Sequence, residues 1–215
     1  MSAEAIRDIS ERIAKASKEL YGQGLVKGNS GNVSARIPDT EEFLVKPSGV
    51  CMGLLTPEEL VLVDFEGNKI RGNRSVSAET PMHAAIYRTR KDVQAVVHTH
   101  APAATAFAIA GTEVRPLQIE VFLLLPRGVP IVPFKSPGSK ELAEAVRKKI
   151  ADYDAVILEN HGIVTVGSTI EAACTLNEIV EEAAKIQFMV MMLKGNDAAS
   201  WAELKKKFKT KNVLE

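Results

Sequence analysis

The chain carries four histidines, and two of them are spaced to act together: His98-Thr99-His100 closes a β-type run containing Val93, Val96 and Val97. Side chains at i and i+2 leave a strand on the same face, so the two imidazoles converge on one point. Imidazole suits zinc, and a catalytic zinc site needs three or four protein ligands with one position open to substrate. The remaining candidates are His83, His161 and nearby carboxylates. His161 sits in Glu159-Asn160-His161-Gly162, where the apolar run Val156-Ile157-Leu158 breaks at a glycine and side chains can project into a site mouth. Glu79 and His83 are spaced i, i+4 at the start of a helical pattern. They are either a ligand pair, or a ligand (Glu79) with His83 packing against it or orienting it, and the second reading is preferred. A lone His-x-His is a weak signal, so the rest of the chain has to supply context.

Small-residue turns supply some of it. Gly28-Asn29-Ser30-Gly31-Asn32-Val33-Ser34, Lys46-Pro47-Ser48-Gly49 and Ser75-Val76-Ser77-Ala78 are rich in glycine and hydroxyls. Such turns offer backbone N–H groups to an anion, and the third precedes a helix whose N-terminus adds partial positive charge. Taken singly, each is more often a tight turn than a phosphate cradle. Their coexistence with a metal-like quartet points to a phosphorylated small molecule.

The elements that must hold these residues alternate between helix and strand. Ile6, Ile9, Ile13, Ala16 and Leu20 recur at helical spacing before Gly22 and Gly24. Strands are predicted over 32–37, 43–46 and 60–64, a helix over 80–88, a strand over 93–100 and a helix over 101–110 with Pro102 in its first turn. Further strands are expected over 129–133, 155–158 and 162–166, helices over 139–150 and 169–193, and a short last helix over Ala199–Phe208. No repeat or low-complexity linker marks a boundary, so one domain spanning residues 1–215 is expected.

Lys plus Arg and Asp plus Glu each number 27 in 215 residues. No net field draws the chain to nucleic acid or to an anionic membrane, and any attraction for phosphate must be local. The N-terminus lacks a signal-peptide pattern and no apolar run approaches membrane-spanning length, so a cytoplasmic protein is expected. Cys51 and Cys174 have neither paired nor CxxC spacing and read as plain thiols.

In order and spacing, GNSGNVS (28–34), KPSG (46–49), SAETPMH (77–83), HTH (98–100) and NHG (160–162) resemble the class II aldolase and adducin-head family. The likeness runs from about Tyr21 to about Leu193. It implies an α/β fold with a central, mainly antiparallel sheet flanked by helices, assembled as a homotetramer with active sites at subunit interfaces. It implies one Zn2+ per subunit on Glu79, His98, His100 and His161; such donors also accept Mn2+ or Co2+. It places substrate phosphate on Gly31, Asn32, Ser48, Gly49, Ser77 and Ala78, and Lys46 resembles the lysine that the pentulose-phosphate epimerase branch sets beside phosphate. The implied activity is an aldolase that cleaves a ketose 1-phosphate such as L-fuculose 1-phosphate to dihydroxyacetone phosphate and a short aldehyde such as L-lactaldehyde. Glu79 would be the acid/base at C3, and no Schiff-base lysine is needed.

The sequence departs from that pattern in places. Ala78 stands where the family has a second serine, and Glu120 and Lys211 stand where fuculose-phosphate aldolases have tyrosines. Glu120 lies in the apolar stretch Gln118-Ile119-Glu120-Val121-Phe122, where burial would raise its pKa and suit it to a second proton transfer. A capping or interface ion-pair role is the plainer reading. Pentulose-phosphate 4-epimerases and methylthioribulose-1-phosphate dehydratases share the histidines and turns and are the enzymatic alternatives, although those epimerases typically have aspartate at the position of Glu79. A non-catalytic scaffold like the adducin head is the alternative from another class.

Overall fold

A computed structural model describes residues 3–194 and Lys206. Eight strands form one sheet: β1 (Asn32–Arg36), β2 (Glu42–Val45), β3 (Val61–Asp64), β4 (Lys69–Arg71), β5 (Ala95–Thr99), β6 (Ile131–Val132), β7 (Ala155–Leu158) and β8 (Gly162–Gly167). Their order is β4-β3-β2-β1-β5-β8-β7-β6, and every pairing is antiparallel except β6 with β7. The helices are α1 (Ala3–Gly22), α2 (Thr80–Thr89), α3 (Pro102–Ile109), α4 (Ile119–Leu124), α5 (Lys140–Ile150) and α6 (Ile170–Lys194). The architecture is the helix-flanked, mainly antiparallel sheet that the family resemblance implies.

Strand alternation sorts the apolar side chains into two cores. Val33, Ala35, Ala95, Val97, Ile157 and Ile163 face one side, where they meet α1, α3 and α6. Phe43, Val45, Val96, Val156, Val164 and Val166 face the other, where α2 and α5 pack against each other. Each fully buried Val, Leu or Ile contributes about 1.5–3 kcal/mol relative to exposure. Because β5 is central and covered on both faces, consecutive residues of it look into different layers. His98 shares the α2 side with Val96, and Thr99 shares the α6 side with Val97.

Several elements differ from the sequence expectation. The predicted strand over 93–100 is Ala95–Thr99, so His100 lies one residue beyond it. β4 is exposed along its whole length and has no buried alternation to read, and the six-residue α4 is too short to show a helical period. The expected last helix over Ala199–Phe208 and Lys211 lie outside the described residues, apart from Lys206. Among the described residues no helix is long and apolar enough to cross a membrane.

Candidate active site

Three element ends bring the histidines and Glu79 together. His98 and His100 leave the end of β5 with their Nε2 atoms 3.2 Å apart. His161 comes from the hairpin between β7 and β8, where Leu158 pairs with Gly162 and a three-residue loop turns on Asn160 at φ 56. Gly162 permits the approach: a Cβ there would sit 2.2 Å from the Thr99 carbonyl oxygen and 3.0 Å from the His100 ring. Glu79 immediately precedes α2, whose first turn contains Pro81, and its side chain makes no capping hydrogen bond to the helix. Its Oε2 is 3.2 Å from His98 Nε2 and its Oε1 is 3.3 Å from His161 Nε2. The Asn32 amide donates to Glu79 Oε2 at 2.9 Å.

The electrostatics of this corner call for a cation. His98 Nδ1 lies 2.9 Å from the Ile163 carbonyl oxygen, which can only accept, so Nδ1 carries a hydrogen and a neutral His98 turns a bare Nε2 inward. Burial pushes His161 down to about 4, aided by His98 and opposed by Glu79; His100 is likewise pushed to about 4 by burial, with His98 and His161 adding. Glu79 Oε1 lies 3.3 Å from His161 Nε2 yet is buried without a hydrogen-bond partner, as are Asn32 Oδ1, Thr80 Oγ1, His83 Nε2 and His161 Nδ1. Burial alone would raise the Glu79 carboxyl, but His98, His161 and the Asn32 amide outweigh it and hold Glu79 well below the usual carboxylate range. Burial likewise opposes charge on His98, and Glu79 with the Ile163 carbonyl outweighs it and raises that imidazole. A proton on His98 Nε2 thus occupies the place of a cation.

A metal ion fits this donor set. The three histidine nitrogens lie within 4.8 Å of one another. Donors about 2.0–2.1 Å from a tetrahedral metal are about 3.3–3.4 Å apart; His98 and His100 are separated by 3.2 Å, and the two Glu79 oxygens lie 3.2 Å from His98 and 3.3 Å from His161. His83 stands outside the set, as preferred from its spacing. It is fully buried, its Nδ1 is 2.6 Å from Ser34 Oγ, and that hydroxyl lies 2.8 Å from Tyr87 Oη. Burial pushes His83 down to about 3, so it is neutral packing behind Glu79.

The three turns, distant in sequence, are tied side by side. The Lys46 ammonium donates to the carbonyl oxygens of Asn29 (3.1 Å) and Pro47 (3.3 Å), bracing the first turn to the second. Ser48 N–H donates to the Ser75 carbonyl at 3.0 Å, linking the second to the third. Ser48, Gly49 and Ala78 are exposed, Ser77 is half-buried, and the Ser77 hydroxyl accepts from Glu79 N–H at 3.3 Å. Gly31, at φ +70, lies against the end of β5: a Cβ there would meet the His98 carbonyl oxygen at 2.9 Å and Val26 at 2.6 Å. Lys46 is nearly fully buried, and burial pushes it down to about 8, with Cys51 and Glu79 opposing.

Glu120 is not brought into this corner within one chain. It lies exposed on α4, so the burial expected of it is absent there; the apolar neighbours read from sequence are a helix whose Ile119, Leu123 and Leu124 also face outward. Conversely, the segment before α5 went unnoticed. Gly138 packs so closely that a Cβ would sit 2.8 Å from the Ala78 carbonyl oxygen, and Phe134 N–H donates to Glu159 Oε2 at 2.7 Å. The Pro137-Gly138 pair before the Ser139 cap was the available signal for a turn at the rim.

Residues 11–188 match the family model described as the class II aldolase and adducin N-terminal domain. A 5-deoxy-D-ribulose 1-phosphate aldolase from Bacillus thuringiensis is 34% identical over 83% of this chain and 83% of its own. A 3-oxo-tetronate 4-phosphate decarboxylase from Escherichia coli is 31% identical over 87% of this chain and 90% of its own. A solved L-fuculose 1-phosphate aldolase superposes with a TM-score of 0.84 at 28% identity, covering 97% of this chain and 98% of that one. The chain therefore belongs to the class II aldolase and adducin family.

Proposed function

We propose that the chain is a metal-dependent aldolase that reversibly splits a ketose 1-phosphate, such as L-fuculose 1-phosphate, into dihydroxyacetone phosphate and a short aldehyde such as L-lactaldehyde. The observation that carries this reading is the convergence of three imidazoles and one carboxylate in one buried corner, beside three linked turns with exposed residues. His98, His100, His161 and Glu79 would hold the ion, with Zn2+ the first candidate and Mn2+ or Co2+ compatible with the same donors. When bound, it supplies a Lewis acid that draws electron density from the substrate carbonyl.

The remaining work falls to the chain's own groups. Backbone N–H groups at Gly31, Gly49 and Ala78, with the Ser48 and Ser77 hydroxyls and the Asn32 amide, would bind the C1 phosphate, helped by the α2 N-terminus. Lys46, whose ammonium rests on the first two turns, would add positive charge beneath them. In cleavage the C4 hydroxyl would give its proton to Glu120, the C3–C4 bond would break with its electron pair staying on C3, and Glu79, freed as substrate arrives and protonated from water, would pass that proton to C3. In condensation Glu79 takes that proton back. Glu120 is the proposed partner for the C4 oxygen. Since it is exposed on α4, it would act across a contact between subunits, and the outward apolar side chains of α4 and of α6 (Phe188, Met189, Met192) favour such an assembly, which we take to be a homotetramer.

A second reading is decarboxylation of a 3-oxo acid phosphate, favoured by the likeness to the E. coli enzyme. Incubating metal-quantified protein with L-fuculose 1-phosphate and with 3-oxo-tetronate 4-phosphate separates the two. Release of dihydroxyacetone phosphate from the first without carbon dioxide from the second supports the aldolase. The reverse pattern overturns it.

A further inference from the structure

Thr99 stands between the two converging histidines, yet its side chain leaves β5 on the opposite face, toward α6. Its hydroxyl donates to Asn177 Oδ1 at 2.7 Å, Asn177 Nδ2 donates to Thr165 Oγ1 at 3.2 Å, and the Thr165 hydroxyl donates to the Ala173 carbonyl at 2.8 Å. All three side chains are completely buried. The chain of bonds runs in one direction and joins the end of β5 to α6 and to β8, the strand that follows His161 and pairs Ile163 with Thr99.

One helical turn beyond Asn177, Glu181 is also buried and accepts from the backbone N–H groups of Ala103 (3.1 Å) and Ala104 (3.0 Å). These belong to the first turn of α3, which begins two residues after His100. Asn177 and Glu181 are spaced i, i+4 and share one face of α6. Packing does not require them there: a buried amide or carboxylate costs free energy unless it is hydrogen-bonded, and an aliphatic residue would fill the same space. What they hold is the backbone from Thr99 to Ala104, and that backbone carries the His100 ring.

We infer that Asn177 and Glu181 are positioning residues, a polar clamp on α6 that fixes the strand-to-helix elbow and so aims His98 and His100 at their common centre. The inference rests on reading that corner as a metal site. Ligand orientation set by partners beyond the ligands is worth a ten- to hundredfold change in metal affinity, on the order seen for such contacts generally.

The test uses Co2+, whose visible absorption reports ligand geometry, on the full chain. Affinity is read by competition with a chromophoric chelator, and thermal unfolding of the metal-free form is measured beside it. Asn177→Leu and Glu181→Gln are expected to weaken Co2+ binding about ten- to a hundredfold and to shift or bleach the cobalt bands. Thr99→Val should do the same, Thr99→Ser should restore the native spectrum, and adding Asn177→Leu to Thr99→Val should cost no more than either alone. If Asn177→Leu does not fold, Thr99→Val and Thr99→Ser carry the test. Native affinity and spectrum in folded Asn177→Leu or Thr99→Val, whatever the melting temperature does, overturn the clamp. A native protein that takes up no Co2+ instead overturns the metal corner, and the clamp with it.

Discussion

His98 is fully buried on a strand covered by helices on both faces of the sheet, whereas Ser48, Gly49 and Ala78 lie exposed in turns. The first region concentrates side-chain donors whose charges balance only with a cation or proton among them. The second offers backbone and hydroxyls that cost little to leave in water. On the proposed function, the corner would polarise a bond, which needs a low dielectric and fixed geometry, while the turns would hold and release a phosphate, which needs exposure. The two regions meet at Asn32, whose amide reaches Glu79 from the first turn, and at Gly31, which rests on the His98 carbonyl.

The largest expected effect separates the regions outright. His161→Ala should abolish stoichiometric metal and lower kcat/KM by on the order of a thousandfold, the loss of several kcal/mol of charge stabilisation. Lys46→Met should keep full metal content and act mainly on KM for the phosphorylated substrate. Metal loss in Lys46→Met would show that the comparison is drawn in the wrong place.

Gly31→Ala strikes the junction. It introduces a left-handed side chain against Val26 and the His98 carbonyl, and should destabilise the protein by about 1–3 kcal/mol while impairing both metal affinity and KM. Chelator competition and denaturant titration check this.

The metal-free corner has its own pH signature. His83, His100 and His161 are lowered from 6.5 to about 3, about 4 and about 4. Between those values and 6.5 the unfolded chain binds more protons than the folded one, so stability rises with pH there. His98, raised by Glu79, adds stability that is complete below its unfolded value and is lost as pH rises through its folded one; Glu79, lowered, adds stability that is complete above its unfolded value and is lost as pH falls through its folded one. Neither reverses the slope between about 4.5 and 6.5. Chelated protein unfolded by urea at several pH values should therefore gain stability across that window. The smallest effect expected is kinetic: with Lys46 pushed down to about 8, KM for the phosphate substrate should climb above that pH in the native enzyme and stay flat in Lys46→Met.

His98 and His100 were legible because a strand of period two leaves its mark on spacing, and Glu79 and His161 because each adjoins a helix start or a glycine break. Glu120 shows the limit: an apolar local sequence does not distinguish a side chain buried in its own chain from one on an outward face. Asn177 and Gly138 were illegible for a different reason, since each acts through a residue some 60 to 80 positions away in sequence, Ala78 for Gly138 and Thr99 for Asn177, and nothing local marks such a partner.

Ketose 1-phosphate cleavage should be followed as metal is returned to chelated protein in measured equivalents. Activity should rise in proportion to bound metal, saturate at one ion per chain, and never appear in His161→Ala. Full cleavage by protein shown to hold no metal would contradict this.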